Sequence, residues 1–274
     1  MKDVIAIGLL HLAMASASWS LTPAEILENV QAKYLSLDSI AFESTVVSED
    51  DSTDVRTNGK KDTSTTTCKA RLARPSFYRI EWKRPVTSSY VEQGAAWSSG
   101  VRHYSLVAGK VSQRDSIDFA LAGGMGGGVG HNFPKLFFQR PGSVLRSMEN
   151  ATLQPDEKVG GLDCYVVSGG TSAGKLTLWI TKEFLVIQVR ETHGNRPLSE
   201  TAAAAIRKFR EENAKLYTAE EKAQPKGSRE KANRDSMRRM KWSTTETIES
   251  IELNPTFEKE LFEGEDLKLP SLPR

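Results

Sequence analysis

The sequence predicts an α+β protein in which one N-terminal helix precedes an antiparallel β-meander. Three observations lead to this prediction. Residues 161–189 contain three strand-like runs joined by short turns, the segment between Pro75 and Pro85 alternates strictly between apolar and polar residues, and a capping box begins a helix at Thr22. Because such strands are apolar on one face only, something must cover that face. What covers it bears directly on function.

The first residues resemble a targeting segment. Lys2 precedes an apolar run from Val4 to Ala15, and the small residues Ala15 and Ala17 suit a signal peptidase. We therefore expect residues 1–17 to be a cleaved signal peptide and the mature chain to be exported. Asp3 and His11 are unusual in a signal, so a membrane anchor or a buried helix is the alternative.

The mature chain is predicted to begin with an amphipathic helix. Thr22 and Glu25 form the capping box, Pro23 occupies the first helical position, and the helix extends to about Leu37. Its apolar residues at helical spacing are Leu27, Val30 and Tyr34. A strand with Ile40, Phe42 and Val46 follows, and after the polar connector 49–61 the Thr-rich run 62–72 is its predicted hairpin partner.

The segment between the two prolines is the clearest single strand. Tyr78, Ile80 and Trp82 lie on one face, and the other face carries Phe77, Arg79, Glu81 and Lys83. Short strands over 86–93, 95–98 and 101–106 are predicted next, separated by glycines. The pattern up to this point is one helix followed by a meander.

A glycine-rich run follows a short helix predicted over 116–121. Residues 122–130 read AGGMGGGVG, which indicates a loop, and the apolar residues 133–138 after it either fold over a cavity mouth or belong to the core. Phosphate binding is disfavoured because the glycines do not follow the G-x-G-x-x-G spacing and no strand and helix flank them.

Two catalytic near-motifs lie in the meander. Residues 170–174 match G-x-S-x-G around Ser172, and residues 169–175 begin a Walker A pattern ending in Lys175. Leu176 replaces the Ser or Thr that would hold magnesium, and the next run is a strand rather than a helix. We therefore predict that both matches are turn residues in a hairpin.

The two cysteines allow two interpretations. In an exported protein, Cys68 and Cys164 could form a disulfide, which in the chain-entropy model would contribute on the order of 4 kcal/mol. Two buried thiols acting as small apolar side chains are the alternative.

A basic helical insertion is predicted at about 197–240. From Arg196 to Lys241 there are 13 Lys or Arg against 7 Asp or Glu, whereas the whole chain of 274 residues has a net charge of +2. Its densest positive charge is contributed by Arg229, Lys231, Arg234, Arg238 and Arg239. The run indicates either an anionic membrane or protein surface or a solvated helix face, and it lacks the interleaved aromatics expected for nucleic acid.

The strand 242–253 and the short element 255–262 complete a pattern that resembles a known family. The segments AEILENVQAKYLSLDSIAF, ARPSFYRIEWKRP, VEQGAAWSSG, GGLDCYVV, LTLWITKEFLVIQV and NPTFEKELF together resemble the LolA-like superfamily of exported, periplasmic outer-membrane lipoprotein carriers. The resemblance covers most of the mature chain through spacing and character. The glycine-rich run and the helical insertion depart from the family.

The resemblance implies a single domain over 18–274, a strongly curved antiparallel half-barrel with the helices covering or flanking its concave face. Its cavity would receive acyl chains of lipoproteins or another lipid in the periplasm, with a monomeric protein and no cofactor. We expect the cavity to be lined by Phe42, Tyr78, Ile80, Trp82, Leu176, Leu178 and Ile180.

Two other classes of function are weighed against the carrier. An enzyme is not expected, because His103, His131 and His193 are widely separated and no metal-ligand spacing occurs, so neither catalytic nor metal residues are assigned. The second alternative is a periplasmic sensor or regulator of LolA-like fold whose basic insertion contacts a membrane or periplasmic protein.

Overall fold

A computed structural model describes residues 21–50, 62–87, 89–124, 132–139, 145, 148–171, 174–193, 242–264 and 267. The predicted signal peptide, Ser172, and the basic residues 229–239 lie outside these ranges. Among the described elements are three α-helices, namely α1 (Pro23–Leu35), α2 (Ile117–Gly124) and α3 (Asn132–Phe137). None of the described helices is both long and apolar enough to cross a membrane.

All the strands in the described part of the chain belong to one 11-stranded sheet in which every neighbouring pair is antiparallel. They are β1 (Ser39–Asp50), β2 (Asp62–Ala73), β3 (Phe77–Pro85), β4 (Val91–Ser99), β5 (His103–Val107), β6 (Lys110–Arg114), β7 (Glu149–Val159), β8 (Leu162–Gly170), β9 (Gly174–Thr181), β10 (Val186–His193) and β11 (Trp242–Leu253). The spatial order is β6-β5-β4-β3-β2-β1-β11-β10-β9-β8-β7, so β6 and β7 are the edges and the sheet is open. An open, curved half-barrel agrees with this order.

The N-terminal helix begins as its sequence predicts. The Thr22 hydroxyl accepts from the backbone N–H of Glu25, and the Glu25 carboxylate accepts from the backbone N–H of Thr22 at 2.8 Å. Ile26, Val30 and Tyr34 form its buried face, with no exposed surface on any of the three. The predicted apolar residue Leu27 is only partly buried, because the helix turns Ile26 toward the sheet instead.

One face of the sheet carries the main core. The three helices and strands β1–β4 and β8–β10 contribute buried side chains to a single apolar cluster. On the other face, Val166 and Trp179 belong to a smaller cluster. We call these the inner face and the outer face.

The chain after β11 packs on the outer face. A 3₁₀ helix, Lys259–Phe262, places the Phe262 ring 5.7 Å from the Phe77 ring, and Arg79 donates to the Leu261 carbonyl at 3.2 Å. This contact explains why Arg79 is 5% exposed although its position in the alternating pattern predicted a solvent-facing side chain.

Several strand boundaries differ from prediction. The predicted break at Gly94 does not occur, and β4 runs through it. A Cβ at Gly94 would lie 2.6 Å from the Trp82 ring and 2.5 Å from the Leu106 carbonyl oxygen, so glycine here admits a close approach rather than a turn. The edge strands β6 and β7 were not predicted, because their mostly exposed residues lack an apolar alternation.

Of the two interpretations of the cysteines, the disulfide is not the one observed. Cys68 in β2 and Cys164 in β8 are both free and buried. Strands β1, β11, β10 and β9 lie between them, and Cys68 belongs to the inner-face cluster whereas Cys164 belongs to the outer-face cluster. A disulfide needs Cα atoms within about 7 Å, which two cysteines on opposite faces and five strand spacings apart do not provide. The alternative of two buried thiols is the one observed.

Candidate ligand-binding face

The seven residues predicted to line a cavity all lie on the inner face and in one buried cluster. Each is at most 4% exposed. Register places Phe42 and Ile80 on opposite sides of Ala70 in one row across β1, β2 and β3. Leu176, Leu178 and Ile180 occupy the inner face of β9 in the other half of the sheet. Their contact with a ligand stays a prediction.

The centre of the inner face carries a carboxyl group. Glu246 on β11 pairs with Val46 on β1 and with Val189 on β10, and the same row continues to Leu178 and Val167. Glu246 is 1% exposed. A glutamate thus occupies the middle of a row that is otherwise largely aliphatic.

Glu246 is only half satisfied by hydrogen bonds. The Ser44 hydroxyl donates to its Oε1 at 3.1 Å, while its Oε2 has no hydrogen-bond partner in the described part of the chain. Burial raises the pKa of Glu246 to about 8, with a smaller contribution from the negative charge of Glu191. The carboxyl is therefore protonated at neutral pH.

A second polar pair lies one row nearer the end of the sheet. The His193 ring nitrogen Nε2 and Glu191 Oε2 are 3.3 Å apart, and hydrogen bonds from His193 and then from Asn132 on α3 lower the pKa of Glu191 against the opposing effect of burial. Glu191 pairs with Thr244, two residues before Glu246 on β11. Polar groups therefore run from the rim toward the centre of the inner face.

The helices that cover this face are held by a few specific contacts. The Tyr34 hydroxyl of α1 donates to the Val186 carbonyl at 3.3 Å, and the Phe133 ring of α3 packs 5.4 Å from the Phe42 ring. Helix α3 has only six residues, and four of them are buried, namely Phe133, Pro134, Leu136 and Phe137.

Arg74 joins α1 to α3. Its guanidinium donates to the carbonyls of Tyr34 and Leu37 at 3.1 and 2.9 Å and to the carbonyl of Phe137 at 3.0 Å. The same guanidinium lies 4.8 Å from the centre of the Phe137 ring. One side chain from the β2–β3 connection therefore binds the carboxyl ends of both helices.

A small pocket opens beside the helix layer. Its volume is about 140 Å³, and its lining residues are Pro75, Ser76, Tyr78, His103, Ile117 and Phe138. The Tyr78 hydroxyl and His103 Nδ1 are 3.1 Å apart on its wall. Of the predicted lining residues, only Tyr78 borders this pocket. Its volume suits a benzene-sized group and falls below the roughly 300 Å³ at which ligand pockets for larger molecules begin.

The predicted basic insertion falls between two adjacent strands. Residues 194–241 connect β10 to β11, and the last residue of β10, His193, pairs with the first residue of β11, Trp242. The two rings stack with centroids 3.7 Å apart. The two residues that flank the insertion are thus side by side, whereas the insertion predicted at 197–240, with its helices and its basic residues 229–239, lies outside the described residues.

The described residues of the catalytic near-motifs flank the β8–β9 hairpin, whereas Ser172 lies outside the described residues. Strand β8 ends at Gly170 and β9 begins at Gly174, and the backbone N–H of Thr171 donates to the Gly174 carbonyl at 2.9 Å. Among the described residues, no group of three or more His, Cys, Asp or Glu side chains is placed to hold a metal ion.

Two residues of this site, Glu246 and Arg74, were not singled out from the sequence. The signal for Glu246 was available in the alternation of Thr244, Glu246 and Ile248, which places a carboxylate on the same face as an apolar residue. Arg74 gave no comparable signal, because its partners are backbone carbonyls distant in sequence.

Comparisons with known proteins concern the fold. No family model and no curated protein sequence matches the chain. One solved structure that matches is LprF from Mycobacterium bovis, with 11% identity and a TM-score of 0.41, and the match covers 86% of this chain and 94% of LprF. Another is the Mycobacterium tuberculosis lipoprotein LppX, with 12% identity and a TM-score of 0.39, and the match covers 86% of this chain and 98% of LppX. A LolA superfamily protein from Nitrosomonas europaea also matches (11%, 0.30, 89% and 98%). A LolA superfamily protein is thus among the solved structures that this chain is similar to.

Proposed function

We propose that this protein is an exported, monomeric lipid-binding protein that holds acyl chains non-covalently between its helix layer and the inner face of its sheet. The observation that carries the proposal is the continuous buried apolar face of an open sheet that is covered by short helices. The N-terminal signal predicted from the sequence supports export, and a carrier of lipoprotein acyl chains or of another lipid is the specific role that we propose.

The described pocket of about 140 Å³ is too small for an acyl chain, and for binding on the described part of the inner face we propose that the helix layer moves. Helix α3 is the segment best suited to move, because a six-residue helix has little stability of its own. Removing the large buried side chains Phe133, Leu136 and Phe137 from the core would cost roughly 5–9 kcal/mol, and burying a twelve-carbon chain in their place would contribute about 10 kcal/mol. The exchange of α3 for an acyl chain is therefore close to balanced, as reversible carriage requires.

The experiment is native mass spectrometry of protein purified from its exported compartment, combined with titration of a fluorescent fatty acid. We expect co-purifying lipid or acylated peptide and saturable binding of the probe. A protein that consistently purifies without lipid or acylated peptide and does not bind the fluorescent fatty acid would contradict the proposal.

Two adjacent valines on β8 provide a matched pair of variants. Val167 faces the inner cluster and Val166 faces the outer cluster, and both are almost completely buried. Val167→Thr places a hydroxyl on the proposed binding face and should weaken probe binding about five-fold, since such a group costs about 1 kcal/mol to desolvate. Val166→Thr should destabilise the fold to a similar extent without changing probe affinity.

A sensor or regulator is the second candidate function, and the pairing of the residues that flank the insertion favours it. Because His193 and Trp242 are paired and their rings stack, the chain leaves the sheet and returns to it at one point, as it would beside a partner-binding segment. Pull-down with and without this segment distinguishes the roles. A protein partner that is lost with the segment supports a regulator, whereas lipid binding that persists without it supports a carrier.

A further inference from the structure

The inner face contains a polar atom that the protein leaves unpartnered. Glu246 Oε2 is buried in the middle of the row formed with Val46, Val189, Leu178 and Val167, and no described donor or acceptor lies within hydrogen-bond distance of it. An unsatisfied buried polar group costs about 1–3 kcal/mol, and a core role would be served equally well by leucine or methionine at this position. We therefore expect a bound ligand to supply the hydrogen-bond partner of Glu246 Oε2.

The hydrogen bond on the other oxygen identifies what kind of partner fits. We take the Ser44 hydroxyl as the donor to Oε1, which makes Oε1 the carbonyl oxygen of the neutral acid and leaves the proton on Oε2. The unpartnered atom is then an O–H donor, which requires an acceptor. Its immediate neighbours in the row, Val46 and Val189, are aliphatic, so the acceptor must belong to a molecule that is otherwise apolar.

We propose that Glu246 binds the carbonyl oxygen of an acyl ester or acyl amide and thereby fixes the position of the acyl chain on the inner face. This inference rests on the proposed lipid-binding function. A chain that begins at Glu246 and follows the row would pass Val189, Leu178 and Val167, a distance of three strand spacings or about 14 Å.

The groups around Glu246 keep it protonated below its pKa of about 8. Tyr34 of α1 and Cys68 of β2 are near enough that the charge of Glu246 would raise the pKa of each, although burial is the larger cause for both. Two further groups face Glu246 itself, namely Ser44 of β1 and Glu191 of β10. The groups that face Glu191 in turn are His193 of β10 and Asn132 and Lys135 of α3. Among these, no cation is hydrogen-bonded to Glu246, so the donor is lost only when the carboxyl ionises above about pH 8.

The test compares two probes of equal chain length, methyl dodecanoate and tetradecane, each of which displaces a fluorescent fatty alcohol from the full-length protein at pH 6.5. The ester has the carbonyl acceptor and the alkane does not. We expect the wild type to bind the ester about ten-fold more tightly. Glu246→Leu should bind the two probes equally and should unfold at a higher temperature than the wild type, because the orphaned carboxyl is gone. A structural role for Glu246 would instead lower the unfolding temperature of this variant.

Glu246→Gln provides a second readout. The amide retains a donor that does not ionise, so this variant should keep its ester preference at pH 9, where the wild type loses it. Thr66→Val, at the other end of the same row, is the control and should change neither preference.

The outcomes separate the two proposals. Equal binding of ester and alkane by the wild type, or an ester preference that persists in Glu246→Leu, overturns the role of Glu246 and leaves lipid binding intact. Failure of the wild type to bind either probe overturns the proposed function and this inference with it.

Discussion

Glu246 combines nearly complete burial with an ionisable group, and this combination makes stability depend on pH. In the unfolded chain a glutamate has a pKa near 4.5, whereas burial raises the pKa of Glu246 to about 8 in the folded protein. Between these values the folded protein retains a proton that the unfolded chain releases. The stabilising contribution is complete below about pH 4.5 and is lost as the pH rises through about 8.

We therefore predict that Glu246→Gln becomes progressively more stable, relative to the wild type, between pH 5 and pH 8. The difference in the free energy of unfolding should grow by at most about 1.4 kcal/mol per pH unit, because one proton is involved. Urea denaturation at several pH values measures it. Thr66→Val is the matched control, and its difference from the wild type should be constant with pH. If the difference in the free energy of unfolding between Glu246→Gln and the wild type were constant from pH 5 to pH 8, folding would not raise the pKa of Glu246.

Gly94 shows how one residue can mislead a prediction of strand boundaries. Glycine commonly ends a strand, and the sequence predicted such a break. In the structure, the Trp82 indole and the Leu106 carbonyl occupy the space that a Cβ would need. The glycine is required by its neighbours in space, which the local sequence does not reveal.

At the scale of elements, the helix layer depends on Arg74. The guanidinium is the one group described that binds carbonyls of both α1 and α3. Hydrogen bonds from a charged donor to buried acceptors contribute more than neutral ones, and removal of the donor leaves those acceptors unsatisfied.

We predict that Arg74→Ala lowers the free energy of unfolding by on the order of 2 kcal/mol and makes α3 more accessible. Increased fluorescence of a hydrophobic dye and faster proteolysis between α2 and α3 would measure the accessibility. Arg71→Ala is the control, because the Arg71–Glu81 pair is partly exposed and 3.8 Å apart and should contribute less than about 1 kcal/mol. Equal dye binding by the two variants would contradict a specific role for Arg74.

The edge strands illustrate which elements escape a pattern-based prediction. Strand β7 is exposed along most of its length and therefore has no apolar alternation to detect. Only the turn after it left a signal, since Gly160 and Gly161 both have positive φ and suit a two-residue hairpin. A Gly-Gly pair is a known signal for such a turn, but neither the turn nor the strand was predicted from the sequence.

At the scale of the whole molecule, the open sheet tolerates a long interruption at one position. Strands β10 and β11 are neighbours, and His193 and Trp242 are paired where the chain leaves and returns. An antiparallel pair needs no more than two residues to connect it.

We predict that replacing residues 194–241 by Asn-Gly gives a protein that folds, with an unfolding temperature within a few degrees of the wild type. Circular dichroism and thermal unfolding test this prediction. A matched replacement that also carries Trp242→Ala should be less stable, because the 3.7 Å stack with His193 is lost. A deletion variant that fails to fold would show that the segment contributes to the core.

The separation of Cys68 from Cys164 is also a property of the whole molecule. Both lie in strand-like runs, and nothing local distinguishes neighbouring strands from strands that are far apart. The order of the sheet and the face on which each thiol lies decide that no bridge forms within the chain.

The sequence by itself determined the elements whose signals are local. The capping box begins α1, alternation identifies β3 and the strands of residues 161–189, and the same alternation selects Tyr78, Ile80, Trp82, Leu176 and Leu178 as buried. These predictions succeed because helix and strand periodicities act between residues only a few positions apart.

Only the tertiary structure decided which strands meet and what lies between them. The pairing of β11 with both β1 and β10 places Glu246 between Val46 and Val189, and the meeting of α1 with α3 gives Arg74 its three carbonyl partners. These contacts join residues far apart in the chain, so their energies depend on register and topology rather than on local pattern. The candidate binding face was therefore outlined by the sequence, whereas its polar centre was decided by the fold.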